Sequence, residues 1–258
     1  MNKLDKLFQQ KPGNILSVYF TAGFPSLNDT GDIVQALQES GADIVEIGMP
    51  FSDPMADGPV IQKSNQQALD NGMSLKKLFE QLAALKPKVS IPIVLMGYLN
   101  PVMQYGIENF CRSCAETGVD GLILPDLPIE LYLEEYSQAF NESSLRNIFL
   151  ISPQTSNERI KLIDQHSNSF IYMVSSTSIT GAKQGISQEQ TDYFKRVQNM
   201  KLKNPRLIGF GISNNQSFAQ ACEYAHGAII GSAFIRALNN GESPVVSTKK
   251  FVKQVLGK

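Results

Sequence analysis

Short apolar segments recur along the chain, with longer amphipathic segments between them. Most of the apolar segments are almost continuously hydrophobic, which indicates strands of a parallel sheet covered by helices. Eight strands are predicted, over residues 15–20, 42–48, 91–96, 121–124, 147–151, 170–175, 207–210 and 227–230.

The segments between these strands have helical spacing. The first starts near Asn28, places Ile33, Val34 and Leu37 on one face, and stops at Gly41. Two further helices are predicted from their apolar positions: Leu75, Leu78, Phe79 and Leu82 in one, and Ile107, Phe110, Cys111 and Cys114, with an end at Gly118, in the other.

A weak internal repeat joins helices to the strands that follow. Gly41-Ala42-Asp43 and Gly118-Val119-Asp120 each lie between a helix and a strand, where Gly supplies a left-handed cap. Eight strand–helix units without a linker or a composition shift predict the α/β class and a (β/α)8 TIM barrel, as a single domain over residues 1–258. A doubly wound open sheet is the alternative.

Composition and charge narrow the class of protein. The 258 residues include 23 basic and 24 acidic ones, so the net charge of −1 offers no basic surface for nucleic acid. No apolar run reaches ~18 residues, which argues against a membrane span. Residues 1–10 place Leu4, Leu7 and Phe8 on one face and lack a continuous apolar region, which predicts a short N-terminal helix and no signal peptide. Three cysteines suit reduced thiols, and we expect a soluble, cytoplasmic, globular protein.

The second predicted strand carries a candidate catalytic carboxylate. Side chains alternate along a strand, so Ile44, Glu46 and Gly48 share one face while Val45 and Ile47 share the other. If Val45 and Ile47 pack against helices, Glu46 points into the barrel, where a lone carboxylate is costly or takes up a proton. Such a group indicates a catalytic site. The alternative is a structural Glu with a buried hydrogen bond or at an exposed strand end.

Asp57 is a second candidate, on the loop that follows the same strand. Active sites of TIM barrels lie at the carboxyl ends of the strands, so this loop reaches the same end as Glu46. The alternative role for Asp57 is that of a turn former.

Two glycine-rich segments follow the last two predicted strands. One is Gly209-Phe210-Gly211-Ile212-Ser213, and the other is Gly231-Ser232-Ala233, which opens a short predicted helix over 233–238. Glycines let backbone N–H groups approach an anion, and a helix N-terminus adds a favourable dipole. Because loops after strands seven and eight are the usual phosphate site of barrels, we predict a small phosphate ester as substrate.

Other mechanisms lack the residues they need. No Lys lies at the carboxyl end of a predicted strand, which argues against a Schiff-base aldolase. His166 and His226 are too few imidazoles for a metal-dependent aldolase or hydrolase, so no metal site is predicted. Cys111, Cys114 and Cys222 are predicted to be buried core thiols. The hydroxyl-rich loop after the sixth strand has no His for a nucleophilic triad.

The run from Val45 to Pro59, VEIGMPFSDPMADGP, resembles the signature of the tryptophan synthase α subunit family. The order of the other matching motifs and the strands that they follow also agree, and the resemblance covers essentially the whole chain. These motifs lie at residues 19–25, 96–101, 125–128, 179–181, 209–213 and 231–233.

The resemblance implies the barrel fold and a lyase of tryptophan biosynthesis. The reaction would be retro-aldol cleavage of indole-3-glycerol phosphate to indole and glyceraldehyde 3-phosphate, with no cofactor in this chain. Glu46 matches the general acid/base that deprotonates the side-chain hydroxyl and protonates indole C3. Asp57 matches the carboxylate that binds the indole N–H and stabilises the positive charge on the ring. Two carboxylates in different environments can hold different protonation states.

The resemblance also implies the rest of the substrate pocket. Tyr19, Tyr98 and Tyr172 match residues that line it. Ile61 and Ile123 match residues beside the indole. The phosphate site is matched by Gly181, Phe210, Gly211, Gly231 and Ser232. Thr180 matches the residue of the closing loop that would close onto Asp57. The sixth loop departs from the family, which often has Arg and Gly where this chain has Ser176 and Ser178; loss of that Gly reduces the freedom of the loop to close.

Members of the family pair with a β subunit that holds pyridoxal phosphate and takes up indole through a tunnel, which implies an α2β2 heterotetramer. By resemblance the contact surface would surround Asp53, Pro54, Asn100 and Asp126. Two alternatives stay open: a stand-alone lyase that releases free indole, and a catalytically silent partner that only activates a β subunit. An isomerase of another phosphate ester is disfavoured, because the first strand ends in Tyr19 and Phe20 and lacks the Asp that barrel sugar isomerases of histidine synthesis place there.

Overall fold

The computed structural model describes residues 1–54, 57–175, 187–209 and 211–258. Its strands pair in parallel throughout these residues. They are β1 (Ile15–Thr21), β2 (Ile44–Gly48), β3 (Ile93–Met96), β4 (Gly121–Ile123), β5 (two segments, Arg146–Asn147 and Leu150–Ile151), β6 (Ile171–Val174), β7 (Arg206–Gly209) and β8 (Gly227–Ile230).

The sheet closes on itself. Neighbours in the chain pair with each other, and β8 pairs with β1. The first segment of β5 pairs with β4 and the second with β6. Between the segments, Ile148 N donates to Leu122 O at 2.9 Å, and Phe149 O accepts from Tyr172 N at 2.9 Å. The predicted TIM barrel is therefore confirmed, and the alternative of an open sheet is wrong.

Helices cover the outside of the barrel. The first, Lys3–Gln10, precedes β1. The others are Thr30–Ser40, Pro59–Asp70, Leu75–Leu85, Leu99–Tyr105, Ile107–Thr117, Ile129–Leu131, Ser137–Glu142, Asn157–His166, Gln188–Asn199, Asn215–Cys222, Ser232–Leu238 and Pro244–Leu256, with a 3-10 turn at Lys86–Lys88 and a π-helical turn at Tyr132–Tyr136.

The predicted strands are all present, with shifted ends. The second begins at Ile44, not at Ala42, because the residues before it still hydrogen-bond to the preceding helix. Gly41 N donates to Gln38 O at 3.2 Å, and Ala42 N donates to Leu37 O at 3.0 Å. Gly41 takes the left-handed conformation of a helix cap, with φ +97°. The prediction of one unbroken fifth strand is wrong, since its pairing changes from β4 to β6 partway along.

The N-terminal helix closes the amino-terminal end of the barrel. Leu4 is buried in the apolar cluster inside the barrel, and Leu7 and Phe8 pack against that cluster, as their common face predicts. Asp5 accepts two hydrogen bonds from Arg146, at 3.0 and 2.6 Å. Apolar side chains of the described residues fill this end, so a polar site inside the barrel is expected at the carboxyl ends of the strands.

Gly227 allows β1 and β8 to approach each other, which gives a test of barrel closure. A Cβ on Gly227 would lie 2.0 Å from the backbone oxygen of Ile15, which cannot move without breaking the strand pairing. We expect Gly227→Ala to lower the free energy of unfolding by about 3 kcal/mol, the upper range for overpacking. Gly13→Ala is the matched control, because in the described part of the chain nothing lies within 4 Å of the Cβ it would add. Urea unfolding of both variants measures the effect; equal midpoints would contradict it.

The cysteines lie in helices of the outer layer. Cys111 and Cys114 are fully buried, as predicted, whereas Cys222 is only half-buried, so the prediction of a buried thiol is wrong there. Burial raises the pKa of Cys111 to about 12, so its thiol stays neutral. Within the described residues, no group of three or more His, Cys, Asp or Glu side chains could hold a metal ion. In that same part of the chain, no helix has both the length and the apolar character to cross a membrane.

Candidate active site

Glu46 lies inside the barrel, as the alternation along β2 predicts. Val45 and Ile47 pack in the apolar layer beneath the helices, while Ile44 belongs to the inner cluster. The side chain of Glu46 is completely buried, and its Oε1 accepts a hydrogen bond of 2.6 Å from the hydroxyl of Ser17. Its Oε2 has no hydrogen-bond partner among the residues that the structure describes. The carboxyl group is thus held at one oxygen, and the other oxygen is buried without a partner among the described residues.

Burial changes the acidity of Glu46. It raises the pKa of this carboxyl from 4.5 to about 7, and the hydrogen bond from Ser17 opposes part of the rise. A carboxyl group with a pKa near neutrality can both donate and accept a proton under physiological conditions. The position and acidity of Glu46 therefore suit a general acid/base.

Asp57 is held at the start of the Pro59–Asp70 helix. Its backbone N donates to Pro54 O at 3.1 Å, and its backbone O accepts from Gln62 Nε2 at 2.9 Å. The side chain is 8% exposed, and its Oδ2 accepts from the hydroxyl of Tyr98 at 3.4 Å. Burial raises the pKa of Asp57 to about 6, opposed by the hydrogen bond from Tyr98. Asp57 therefore ionises at lower pH than Glu46.

Two tyrosine side chains fill space that glycines leave open at strand ends. A Cβ on Gly48 would lie 2.2 Å from Tyr19 Oη, and one on Gly209 would lie 2.3 Å from Tyr172 Oη. Burial, with the charges of Asp57 and Glu46 adding to it, raises the pKa of both tyrosines well above the usual value. Both hydroxyls therefore stay neutral beside the two carboxylates. Gly209, which the sequence assigned to an anion loop, makes room for an aromatic ring.

A small cavity opens beside Asp57 at the carboxyl ends of the strands. Asp57, Tyr98 and Pro125 reach it from the segments after β2, β3 and β4. Its remaining lining residues are Tyr19, Met49, Asn65, Met96 and Gly97. The lining combines tyrosine rings and methionine thioethers with the polar atoms of Asp57 and Asn65, so a ligand here would meet both apolar surface and hydrogen-bonding groups.

The two predicted indole neighbours lie close to this cavity. Ile123 is buried at the end of β4 and pairs in register with Met96, which lines the cavity. Ile61 is buried on the Pro59–Asp70 helix, one turn before the lining residue Asn65. The structure therefore brings both isoleucines to the end of the barrel where Asp57 lies.

The predicted phosphate residues that the structure describes follow the last two strands. Gly211 lies after β7 with φ +81°, and no atom of the described residues lies within 4 Å of a Cβ placed on it. Gly231 directly precedes the Ser232–Leu238 helix, which begins one residue earlier than predicted, and a Cβ on it would lie 3.3 Å from Tyr19 Cδ1. Thr180, Gly181 and Phe210, together with Ser176 and Ser178 of the sixth loop, lie outside the described residues.

Two residues at the site were not predicted from the sequence. Ser17 contacts Glu46, and Asn65, which is 3% exposed, lines the cavity with its Oδ1 unpartnered among the described residues. Periodicity contains a signal for each. Ser17 shares the inward face of β1 with Tyr19, two positions on, and Asn65 follows Ile61 at i+4 on one helix.

Two buried carboxyl groups with raised pKa values at the carboxyl ends of closed parallel strands are typical of the catalytic site of a TIM-barrel enzyme. The family model of the tryptophan synthase alpha chain matches residues 5–256. The chain belongs to this family of enzyme subunits of tryptophan biosynthesis.

Relatives and solved structures agree with the family. The chain is 56% identical to the tryptophan synthase alpha chain of Flavobacterium psychrophilum over 255 residues, covering 99% of this chain and 100% of that one. It is 56% identical to that of Christiangramia forsetii over 254 residues, 98% of this chain and 99% of that one. The tryptophan synthase subunit alpha of Legionella pneumophila superimposes with a TM-score of 0.88 at 34% identity, covering 100% of this chain and 98% of that chain. A chain of the tryptophan synthase complex from Pyrococcus furiosus gives 0.86 at 34% identity, covering 95% and 98%.

Proposed function

We propose that this chain is a lyase that cleaves indole-3-glycerol phosphate to indole and glyceraldehyde 3-phosphate. The main support for the proposal is the state of the buried carboxyl group of Glu46. It has a pKa of about 7 and one oxygen without a partner among the described residues. Retro-aldol cleavage needs one group that both gives and takes a proton at neutral pH.

In the proposed reaction, protonated Glu46 gives its proton to indole C3. The resulting carboxylate takes the proton of the hydroxyl on the carbon attached to C3. The bond between that carbon and C3 breaks, its electron pair returns to the indole ring, and the hydroxyl-bearing carbon becomes the aldehyde. One proton leaves the hydroxyl and one enters C3, so Glu46 ends in its starting state and no co-reactant is consumed.

Asp57 has the complementary role. Protonation of C3 places positive charge on the ring nitrogen, and an ionised carboxylate that accepts a hydrogen bond from the N–H stabilises that charge. The pKa of Asp57 is about 6 and that of Glu46 about 7, so between these values Asp57 is ionised while Glu46 still holds its proton. We therefore expect a bell-shaped pH profile of kcat, with an acidic limb from Asp57 and a basic limb from Glu46.

We also propose that the product indole passes to a β subunit in an α2β2 heterotetramer. The segments after β2, β3 and β4 that line the cavity also carry Asp53, Asn100 and Asp126 on the surface, although Pro54 is buried. Met103, one turn after Asn100, leaves an apolar side chain 56% exposed. A single exposed apolar side chain is ordinary on a protein surface, so the support for a contact here is the position of these loops beside the cavity. The same loops therefore line the cavity and form this surface.

Cofactor, location and domain structure complete the proposal. The cleavage moves one proton within the substrate and uses the indole ring as leaving group, so we propose that this chain needs no cofactor and that pyridoxal phosphate belongs to the β partner. A biosynthetic family and free cysteines suit a cytoplasmic protein that folds as a single domain.

The test is to mix the chain with indole-3-glycerol phosphate and to follow indole and glyceraldehyde 3-phosphate, with and without a β subunit. We expect equal amounts of the two products and faster release with the β subunit. Free indole at a rate that the β subunit leaves unchanged would indicate a stand-alone lyase. Activation of the β subunit without any indole from the substrate would indicate a catalytically silent partner.

The phosphate group is expected to bind near Gly211, Gly231 and Ser232. Backbone N–H groups at the start of the Ser232–Leu238 helix favour an anion there, and a side chain at Gly211 would block its approach. We expect Gly211→Leu to weaken binding of glycerol phosphate at least tenfold while free indole binds almost as before. Gly241→Leu is the matched control, because Gly241 has φ +85° and is equally open, against φ +81° at Gly211. Equal dissociation constants for glycerol phosphate in both variants would place the phosphate elsewhere.

A further inference from the structure

We propose that Ser17 is a positioning residue for the acid/base of this enzyme: its hydroxyl holds Oε1 of Glu46, so that Oε2 alone carries the proton that moves between the substrate hydroxyl and indole C3. This inference rests on the proposed lyase function and adds to it a residue and an atom. It assigns a task to a side chain that the sequence motifs of the site do not include.

The surroundings of Ser17 leave its hydroxyl one strong partner. Ser17 is completely buried on β1. Its register neighbours are Ile44 on β2 and Ile229 on β8, both apolar and buried. A hydroxyl in such surroundings costs free energy unless it is hydrogen-bonded. The hydrogen bond of 2.6 Å to Glu46 Oε1 meets that need, and its short length is that of a bond to a charged oxygen.

The direction of this hydrogen bond determines where the proton of Glu46 sits. The Ser17 hydroxyl donates to Oε1 of the ionised carboxylate. In the neutral form, a proton on Oε1 would point at Ser17 Oγ and leave the Ser17 O–H without an acceptor, because Oε1 is its hydrogen-bond partner among the described residues. The proton of the neutral form therefore lies on Oε2, which has no partner among the described residues. Giving a proton to C3 and taking one from the substrate hydroxyl then use the same oxygen, without rotation of the carboxyl group between the two steps.

The titration of Glu46 can be distinguished from those of the neighbouring groups. In the described part of the chain, Tyr19 on β1 and Tyr172 on β6 interact electrostatically with Glu46. Both tyrosines also interact with Asp57, and Tyr19 interacts with Tyr98 on the loop after β3. Burial raises the pKa of Tyr19 and Tyr172, so these two stay neutral throughout the relevant range. The pKa of Asp57 is about 6, which is lower than the pKa of about 7 of Glu46. A change confined to the basic limb of the pH profile therefore reports Glu46.

The experiment compares Ser17→Val with Ser17→Thr, because Val and Thr have nearly the same shape and differ in the hydroxyl. Loss of a hydrogen bond to a carboxylate disfavours the charged form and so raises its pKa. We expect Ser17→Val to move the basic limb of the kcat profile upward by about one pH unit and to lower the maximal kcat roughly tenfold, with KM nearly constant. Ser17→Thr is expected to keep the basic limb close to that of the unmodified chain.

A direct titration supports the kinetic comparison. The side-chain carboxyl carbon of Glu46, labelled with ¹³C and assigned by its absence in Glu46→Gln, gives its pKa in the free protein by NMR. We expect the same upward shift in Ser17→Val, and Ser17→Ala provides it if the Val variant does not fold. An unchanged Glu46 pKa and an unchanged basic limb would overturn the role of Ser17 and leave the lyase function intact. Full activity of Glu46→Gln would instead overturn the proposed function itself.

Discussion

Glu46→Gln is expected to lower the turnover of indole-3-glycerol phosphate by at least a hundredfold and by up to about ten-thousandfold. The amide keeps the size of the side chain and can still hydrogen-bond Ser17, but it cannot carry a proton. The carboxyl group acts twice in each cycle, so the loss falls on kcat, while substrate binding through the indole and phosphate groups survives. Steady-state kinetics with indole detection give kcat and KM separately. Retention of more than about a tenth of the turnover would remove Glu46 from the mechanism.

Stability provides the control that the Gln variant is folded. Burial raises the pKa of Glu46 from 4.5 to about 7, so the folded state binds more protons than the unfolded state between these values. The stability of the unmodified chain therefore falls as pH rises through this window, by on the order of 3 kcal/mol for a fully buried group. Gln has no charge to lose, so the variant is expected to be the more stable protein above pH ~7 and similar below pH ~4. Urea unfolding at several pH values measures the difference.

Asp57→Asn is expected to lower kcat/KM for the same substrate by a few hundredfold, which corresponds to a loss of about 3–4 kcal/mol of transition-state stabilisation. The amide oxygen can still accept the indole N–H, but it has no negative charge to stabilise the protonated ring. The effect should therefore be larger on kcat than on KM. The acidic limb of the pH profile should also disappear, because the group with a pKa of about 6 is gone.

Tyr98→Phe is the matched control for Asp57. It removes the hydroxyl that donates to Asp57 Oδ2 at 3.4 Å and leaves the carboxylate in place. Since that hydrogen bond lowers the pKa of Asp57, we expect the acidic limb to move upward with less than about a tenfold loss of rate. If Tyr98→Phe costs as much as Asp57→Asn, then positioning of the side chain rather than its charge is what the reaction requires.

Most of the barrel could be predicted from the sequence because each element repeats one local rule. Continuous apolar runs mark strands that are buried on both faces, and Gly41 and Gly118 mark the helix ends, where both take the left-handed conformation. Strand ends were predicted less well. Local hydrophobicity does not show where hydrogen bonding passes from helix to sheet, as at Ala42, or where one strand changes partners, as in β5.

The sequence by itself determined the inward direction of Glu46, since alternation along β2 follows from the geometry of the strand and from the apolar residues on either side. It also placed Asp57 at the same end of the barrel. Only the tertiary structure decided what surrounds these groups. Contacts between residues far apart in the chain, such as Ser17 with Glu46 and Tyr98 with Asp57, arise when the barrel closes, and no local pattern encodes their distances. The acidity of both carboxyl groups follows from that same closure, because burial among distant side chains removes the water that would otherwise stabilise their charges.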